Sequence, residues 1–508
     1  MKKTRTARSV YNAAWSLAYQ MVHIASQLVM QTALVRTMGI AYTGLSGLFA
    51  EVIGVLSLAE MGVGPAIVYC LYAPLATGDE EAVARLMGLY RRAYRAVGFA
   101  VLFGGILLAP WIDRIVTRTD FSAEYIRAVF LLFVVRAAGS YFFAYKASLL
   151  CADQKNHVVL RVMMCFRALA TVLCVAALLL TRRYTLFLLL QAVMSLAENI
   201  AVARCADRAY PFLRDRAHPA MAGDRARVRR GVRDLFIGRI SAGITTSTDQ
   251  ILISLLVSTV QSGVYSSYAL ILNAVRTVFA RISGALAGSI GNLSATADAQ
   301  KMDETLRRLE FLYGSCAICC SLGLYGVLTP FIGMWIGVRG VLEERTLAVL
   351  VFNEFLMIAR EPLWSMAMAC GLFRVDKIVS VLGSAVNLLV SVLLGRRWGM
   401  AGIFLGTSCT LVIQIALKVM LLDRVRLHMG SRRMLRPWAK RCALMLLGMT
   451  ALHMAYARMP AEGQPMQLIL RGATAELTGL GLIVLGYGRT SEFSAAVRLL
   501  RTALEGRA

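Results

Sequence analysis

Long apolar segments, each interrupted by only a few polar residues, follow one another along almost the whole chain. A helix needs about 20 mostly apolar residues to cross a bilayer, and about fourteen segments reach that length. They lie near residues 10–34, 43–72, 92–110, 124–150, 157–180, 184–204, 232–258, 262–289, 309–335, 345–371, 377–395, 400–422, 438–457 and 466–487. The pattern predicts an all-α polytopic membrane protein with about 14 transmembrane helices. Only the short turn Arg396–Gly399 separates the eleventh segment from the twelfth, so these two are the least distinct.

The distribution of charge indicates how the chain is oriented. The chain has 508 residues, of which 58% are hydrophobic, and a formal net charge of +26. Such a charge also occurs in nucleic-acid-binding proteins. Here, however, Lys and Arg gather in alternate loops, which is the asymmetry that the positive-inside rule describes. We therefore expect both termini to be cytoplasmic. We also expect the basic residues to contact the lipid bilayer, and we expect no nucleic acid as a partner.

The largest basic loop, 205–231, lies between two sets of six segments that have only weak internal sequence similarity. Six segments precede it in 1–204 and six follow it in 232–422. Two additional segments occupy 423–487, and a cytoplasmic tail covers 488–508. Such halving is common in transporters that are built from structural repeats, with the substrate site between the halves.

Cysteine chemistry contributes little to this interpretation. Eleven cysteines are scattered, most of them within apolar segments. The run Cys316-Ala-Ile-Cys319-Cys320 lies in the middle of a predicted helix without a histidine or a loop, so packing explains it better than metal binding. We expect no metal, no cofactor and no disulfide framework.

Polar residues in the first segment follow a helical period. Six of them recur at steps of three or four residues and so share one helix face: Asn12, Ser16, Gln20, His23, Gln27 and Gln31. A polar stripe over most of a span is unsuited to lipid. It forms either a wall of a hydrated cavity or a row of hydrogen bonds to a neighbouring helix.

The seventh and eighth segments predict a helical hairpin joined near Ser258–Gly263. Its polar residues include Arg239, Asp249, Asn273, Arg276 and Arg281. A charge in the hydrocarbon core costs about 2.5–3.5 kcal/mol on insertion scales, so these residues face a polar cavity or a partner. The alternative to a cavity is a structural Arg–Asp pair that joins the two arms.

Further charges lie deep in other segments: Glu60, Arg136, Arg167, Glu198, Glu354 and Arg360. Glu60 precedes Gly62 and Pro65, which predict a break in the second segment. A carboxylate beside unwound backbone is either a cation or proton site, or a satisfied group at a kink. For Arg360 the alternative is a local ion pair with Glu361.

These residues suit an anionic, hydroxyl-rich substrate, because arginine binds phosphate with a planar fork of donors and amides bind sugar hydroxyls. We expect Arg136, Arg239, Arg276 and Arg360 to converge on one cavity. The predicted substrate-binding set also includes Gln20, His23, Gln27, Gln31 and Asn273. The chain has no GxxxxGK[ST] loop, so an ion or voltage gradient is the expected energy source. The candidate ion-coupling groups are Glu60, Glu198 and Asp249.

Two blocks resemble a known family. One is Ser247-Thr-Asp249-Gln-Ile-Leu-Ile-Ser254, followed by Val264-Tyr265 and Ser289-Ile-Gly291-Asn-Leu293. The other is Tyr42-Thr-Gly44-Leu followed by Leu56-Ser-Leu-Ala-Glu60-Met-Gly62-Val-Gly64. Both are similar to bacterial polysaccharide-biosynthesis flippases, the polysaccharide transporter branch of the multidrug/oligosaccharidyl-lipid/polysaccharide superfamily.

The resemblance implies a MATE-like fold of two six-helix bundles, here with two C-terminal helices added. It also implies a flippase of the bacterial cytoplasmic membrane, which moves a polyprenyl-pyrophosphate-linked oligosaccharide by alternating access. A glycan polymerase or glycosyltransferases would then be candidate partners.

Two other functions stay open. A cation-coupled multidrug exporter of the same superfamily would use acidic residues and aromatics, whereas arginines dominate the deep polar set here. A membrane-embedded glycan polymerase or transferase needs an acid/base or metal-binding constellation, usually on sizeable aqueous loops. The predicted outer loops are short, so we expect a transporter and not an enzyme.

Overall fold

The computed structural model describes residues 5–60, 63–215, 248–296, 298–459 and 464–504, with a few positions between 216 and 247. Helices account for nearly all of these residues, and no strand occurs among them. The prediction of an all-α protein is confirmed.

The chain divides into two compact units, Met1–Ser266 and Ser267–Ala508. Helices of the first unit are α1 Arg5–Met38, α2 Ile40–Leu56, α3 Val63–Thr77, α4 Glu80–Leu108, α5 Ala123–Ala152, α6 Asn156–Thr181, α7 Tyr184–Ala209 and α8 at 248–256. Helix α9, Thr259–Thr296, continues from the first unit into the second. Helices of the second unit are α10 Ala299–Trp335, α11 Glu344–Ala359, α12 Glu361–Ala369, α13 Phe373–Leu422, α14 Ser431–Tyr456, α15 Gln464–Tyr487 and α16 Ser491–Leu504. The six-helix domains separated at 205–231 remain a prediction.

Seven helices in the described part of the chain are long and apolar enough to cross a membrane. They are Glu80–Arg114, Ala123–Ala152, Asn156–Thr181, Tyr184–Ala209, Ala299–Trp335, Ile378–Leu427 and Pro465–Tyr487. Large apolar side chains on them are exposed, among them Leu180 at 84% and Leu485 at 85%. Exposed apolar surface on so many long helices is what a lipid solvent requires. The full set of about fourteen spans stays a prediction.

The second predicted span is broken, as expected. Helix α2 ends at Leu56, one 3₁₀ turn covers Ser57–Glu60, and α3 begins at Val63. Pro65 lies in the first turn of α3. An N–H at that position has no partner within the helix, so proline loses no hydrogen bond there, and a new helix can begin just before it. The predicted tenth span breaks in the same way, between α11 and α12, with Pro362 in the first turn of α12.

Helix α13 folds back on itself. Trp398 and Gly399 leave helical conformation, and Gly399 has a φ of 58°, a value that favours glycine. Ser391 Oγ donates to the Ile403 carbonyl at 3.0 Å. A Cβ on Gly406 would lie 2.2 Å from the Ser391 hydroxyl, so only glycine lets the arms approach. The eleventh and twelfth segments are therefore two antiparallel arms of α13, and their status as separate spans stays a prediction.

The hairpin of the seventh and eighth segments is present where the structure describes it. Gln250 of α8 donates to Ser266 Oγ of α9 at 2.5 Å and to the Ser262 carbonyl at 3.4 Å. The remainder of the predicted first arm, with Arg239, lies outside the described residues. Helix α9 also packs closely on α2, since a Cβ on Gly44 would lie 2.0 Å from the Thr259 carbonyl oxygen. Close helix contact at small residues is typical of membrane bundles.

Candidate functional site

A polar cavity of about 330 Å³ lies in the first unit among α1, α5, α6 and α7. Met30 from α1 lines it with the polar residues Arg136, Ser140, Arg167, Gln191, Ser195 and Glu198. Gln191, Ser195 and Glu198 recur at steps of four and three on α7 and so share one face. The cavity therefore combines two guanidinium groups, one carboxylate, one amide and two hydroxyls.

Arg136 is held from two sides. Its Nη1 donates to Gln191 Oε1 at 2.5 Å, and the guanidinium lies 4.8 Å from the centre of the Phe133 ring. Its other nitrogens have no acceptor among the described residues. The amide and the ring fix the orientation of the fork, and the unused donors remain available to a ligand.

Arg167 and Glu198 line the same cavity without a direct contact. Neither makes an ion pair or a side-chain hydrogen bond to the described part of the chain, and the buried Nε of Arg167 lacks an acceptor there. Each is within electrostatic range of the other. Buried polar atoms in proteins almost always have partners, and charges inside a membrane bundle mark substrate or ion paths. This arrangement makes the cavity a candidate binding site.

The polar stripe of α1 meets this cavity only at its border. His23 lies near Arg167 and stacks on Tyr19, with ring centres 5.7 Å apart. Met30, not a member of the stripe, is the α1 residue that lines the cavity. Gln27 is exposed, while Gln20 and Gln31 are half-buried and do not line it.

Glu60 is bound by a cluster of tyrosines that the sequence reasoning missed. Tyr94 donates a short hydrogen bond to Glu60 Oε1, and Tyr90 donates to Tyr94 at 3.4 Å. Tyr90 also shares a hydrogen bond of 3.0 Å with Ser148. The Tyr94 ring stands edge-on to Tyr141 at 5.8 Å. The i, i+4 spacing of Tyr90 and Tyr94 could have revealed that both lie on one face of α4.

In the second unit, Arg276 is paired with a carboxylate. Its Nε donates to Glu354 Oε2 at 2.6 Å, and Glu354 is fully buried. The neighbouring Asn353 donates to the Phe404 carbonyl at 2.8 Å and accepts from Ser408 at 2.6 Å. Arg276 thus connects α9 to α11 within the second unit.

Arg360 belongs to a different cluster of that unit. Its Nη1 donates to Gln414 at 3.4 Å, and its guanidinium lies 4.6 Å from the centre of the Trp364 ring. Lys418 lies on the same ring at 3.6 Å. Two cations on one indole indicate a strongly positive position beside Glu361.

The structure therefore brings together only part of the predicted set. Arg136 and Glu198 share one cavity in the first unit, whereas Arg276 and Arg360 make separate contacts in the second. Asp249 is buried in the first unit, and Asn273 is exposed on α9. The convergence of the four arginines on one cavity remains a prediction.

Comparison with known proteins identifies the fold. No family model and no curated protein sequence matches the chain. Among solved structures, the lipid II flippase MurJ in an inward closed conformation has a TM-score of 0.69 at 11% identity, covering 94% of this chain and 99% of that chain. An inward-facing multidrug resistance MATE transporter of the MOP superfamily has a TM-score of 0.61 at 13% identity, covering 80% and 98%. A mutant of the Vibrio cholerae MATE transporter VcmN has a TM-score of 0.56 at 14% identity, covering 84% and 100%.

At these identities the likeness shows the fold alone. The chain has the helical fold that MurJ and the MATE transporters share, and the MATE-like expectation is confirmed at that level. Together with the seven apolar helices in the described residues, this fold identifies a multi-pass membrane protein.

Proposed function

We propose that this protein is a flippase that moves a polyprenyl-pyrophosphate-linked oligosaccharide across the cytoplasmic membrane of a bacterium by alternating access. The observation that carries the proposal is the cavity in which Arg136 and Arg167 present guanidinium groups with unused donors. Two positive forks inside a bundle of apolar helices suit a substrate whose negative charge is concentrated, as in a pyrophosphate.

The other polar groups of the cavity suit the sugar. The Ser195 hydroxyl and the Gln191 amide can hydrogen-bond hydroxyl groups, and Glu198 can accept from them. A volume of about 330 Å³ accommodates a headgroup fragment and not a whole lipid. The polyprenyl tail would therefore stay in the bilayer while the headgroup crosses.

The shared fold supports the same choice. The similar structure that covers 94% of this chain is a lipid II flippase, whereas the MATE transporters cover 80% and 84%. The proposed orientation has both termini in the cytoplasm. The proposed partners are the bilayer and a glycan polymerase or glycosyltransferases, and energy would come from an ion or voltage gradient.

The test replaces the two cavity arginines one at a time. Arg136→Ala and Arg167→Ala should each lower translocation of the lipid-linked sugar in proteoliposomes roughly 10- to 100-fold, the worth of one charged hydrogen bond. Arg136→Lys should retain an intermediate rate, because it keeps the charge and loses the fork. Arg127→Ala is the matched control on the same helix, since Arg127 lies outside the cavity and pairs with Asp113 at 3.2 Å. Normal transport by well-folded Ala variants of Arg136 and Arg167 would refute the site.

A second function is favoured by the surroundings of Glu60. A carboxylate bound by Tyr94, next to the rings of Tyr90 and Tyr141, combines the acid and aromatics that an organic cation needs. The second candidate is therefore a cation-coupled multidrug exporter. Efflux of ethidium that is abolished by Glu60→Gln and unaffected by Arg136→Ala would select it over the flippase.

A further inference from the structure

A second cavity lies in the second unit, apart from every residue used above. It measures about 290 Å³ and is formed by α10, the start of α14 and the segment that joins α15 to α16. Five of its lining residues are cations: Arg307, Arg433, Arg436, Lys440 and Arg441. Phe311 and the Tyr487 ring supply apolar walls, and Glu492 is the acidic residue of the lining.

Arg441 gives the cavity a built-in donor. Only 3% of the residue is exposed, and its Nη2 donates to Glu310 Oε2 at 3.0 Å. The second oxygen of that carboxylate accepts from Trp438 Nε1 at 3.2 Å. The Nε and Nη1 of Arg441 are buried and make no well-formed hydrogen bond in the described part of the chain, although the Tyr487 hydroxyl interacts with the same guanidinium. This buried guanidinium lines the cavity, and such groups normally have well-formed partners.

The other cations outnumber the acids that face them. Arg307 is paired with Asp303 on its own helix, and Lys440 donates to the Gly486 carbonyl at 2.5 Å. Arg433 and Arg436 are exposed and make no ion pair with the described residues.

The N-terminus of the helix that carries these arginines is already bound by a carboxylate. Helix α14 begins at Ser431, and Asp423 accepts hydrogen bonds from the Met429 N–H at 2.8 Å, from the Gly430 N–H at 3.0 Å and from the Ser431 hydroxyl at 2.9 Å. That carboxylate offsets the positive end of the helix. An anion in the cavity would therefore be held by Arg433, Arg436 and the buried Arg441 rather than by the helix end.

We propose that this cavity binds the phosphate of an anionic membrane lipid. We assign the phosphate to a lipid because the surface next to the cavity is apolar and exposed. Leu447 lies seven residues beyond Lys440 on α14 and is 58% exposed, and Leu485 near the end of α15 is 85% exposed. The following helix α16 packs Phe493 against Phe311 with ring centres 6.4 Å apart. The headgroup therefore occupies the basic cavity, and the acyl chains lie along α14 and α15.

The experiment measures lipid preference on the purified full-length protein. Phosphatidylglycerol is titrated against phosphatidylcholine by native mass spectrometry and by thermal stability in detergent, with inorganic phosphate as a separate arm. The test variant is Arg433→Gln/Arg436→Gln/Lys440→Gln, which leaves the buried Arg441–Glu310 pair intact. The control is Arg424→Gln/Arg426→Gln/Arg432→Gln, which removes the same charge from exposed arginines outside the cavity.

The wild type and the control should prefer phosphatidylglycerol. The test variant should bind it at least roughly tenfold more weakly, because it lacks three of the five cations that line the cavity and would contact the lipid phosphate. Unchanged stability of the test variant in phosphatidylcholine shows that it is folded. An equal loss of phosphatidylglycerol affinity in both variants would mean that diffuse surface charge attracts the lipid, and this would overturn the proposal. Inorganic phosphate that binds as tightly as the lipid would also overturn it. The result is independent of what the protein transports.

Discussion

The pair Arg276–Glu354 allows a quantitative prediction, because one partner is fully buried and the other is 31% exposed. At 2.6 Å and an effective dielectric constant of about 20, the attraction between the two charges is about 6 kcal/mol. Desolvation costs several kcal/mol for each ion, so the intact pair contributes little net stability.

Removing only the arginine has a large effect. Arg276→Met leaves the Glu354 carboxylate buried without its partner, which costs about 3–5 kcal/mol in comparable cases. The loss of unfolding free energy cannot exceed about 4 kcal/mol at pH 7, because a proton can neutralise the unpaired carboxyl at about that cost. The difference in unfolding free energy between the wild type and Arg276→Met should therefore become smaller as the pH falls toward 5. Glu354→Gln should cost less, because Arg276 can extend its charge toward water.

A double-mutant cycle in detergent checks these values by thermal or denaturant unfolding. Arg276→Met/Glu354→Gln should be no less stable than Arg276→Met alone, with a coupling free energy of roughly 1–3 kcal/mol. Arg308→Met is the matched control, since Arg308 and Glu304 form an exposed pair worth about 0–1 kcal/mol. If Arg276→Met were as stable as wild type while transport was lost, Arg276 would be a substrate contact rather than a structural partner.

Three further predictions concern packing, topology and coupling. Gly44→Ala should destabilise the protein by about 1–3 kcal/mol through a clash between α2 and α9, whereas Gly139→Ala, with open space at its Cβ, should not; equal melting temperatures would contradict this. Cysteines placed in 205–230 should react with impermeant reagents only from the cytoplasmic side, and labelling of intact cells from outside would reverse the orientation. Tyr94→Phe should weaken the coupling of transport to the ion gradient while keeping the fold, because Glu60 loses the hydrogen bond from Tyr94; full gradient dependence in that variant would exclude this hydrogen bond from the coupling step.

Local sequence signals predicted the elements well. The break before Pro65 and the turn at Gly399 follow from proline and glycine chemistry within a few residues, so they could be read directly. The face shared by Gln191, Ser195 and Glu198 also follows from helical spacing, and the three residues do line one cavity.

The partners of the polar residues could not be predicted in the same way. Arg276 and Glu354 are 78 positions apart, and their pairing depends on how α9 packs on α11. Periodicity showed that Gln20, Gln27 and Gln31 share a face of α1 but not what that face meets. Helix α1 packs against α6, and the cavity lies at its edge beside Met30.

The most direct test of the proposed function is reconstitution of the wild-type protein in liposomes with a fluorescent polyprenyl-pyrophosphate-linked oligosaccharide in one leaflet and ethidium in the lumen. The proposal predicts that the lipid-linked sugar becomes accessible in the opposite leaflet, that Arg136→Ala/Arg167→Ala abolishes this, and that ethidium stays in place. Ethidium transport without movement of the lipid-linked sugar would contradict the proposal and would assign the chain to drug export.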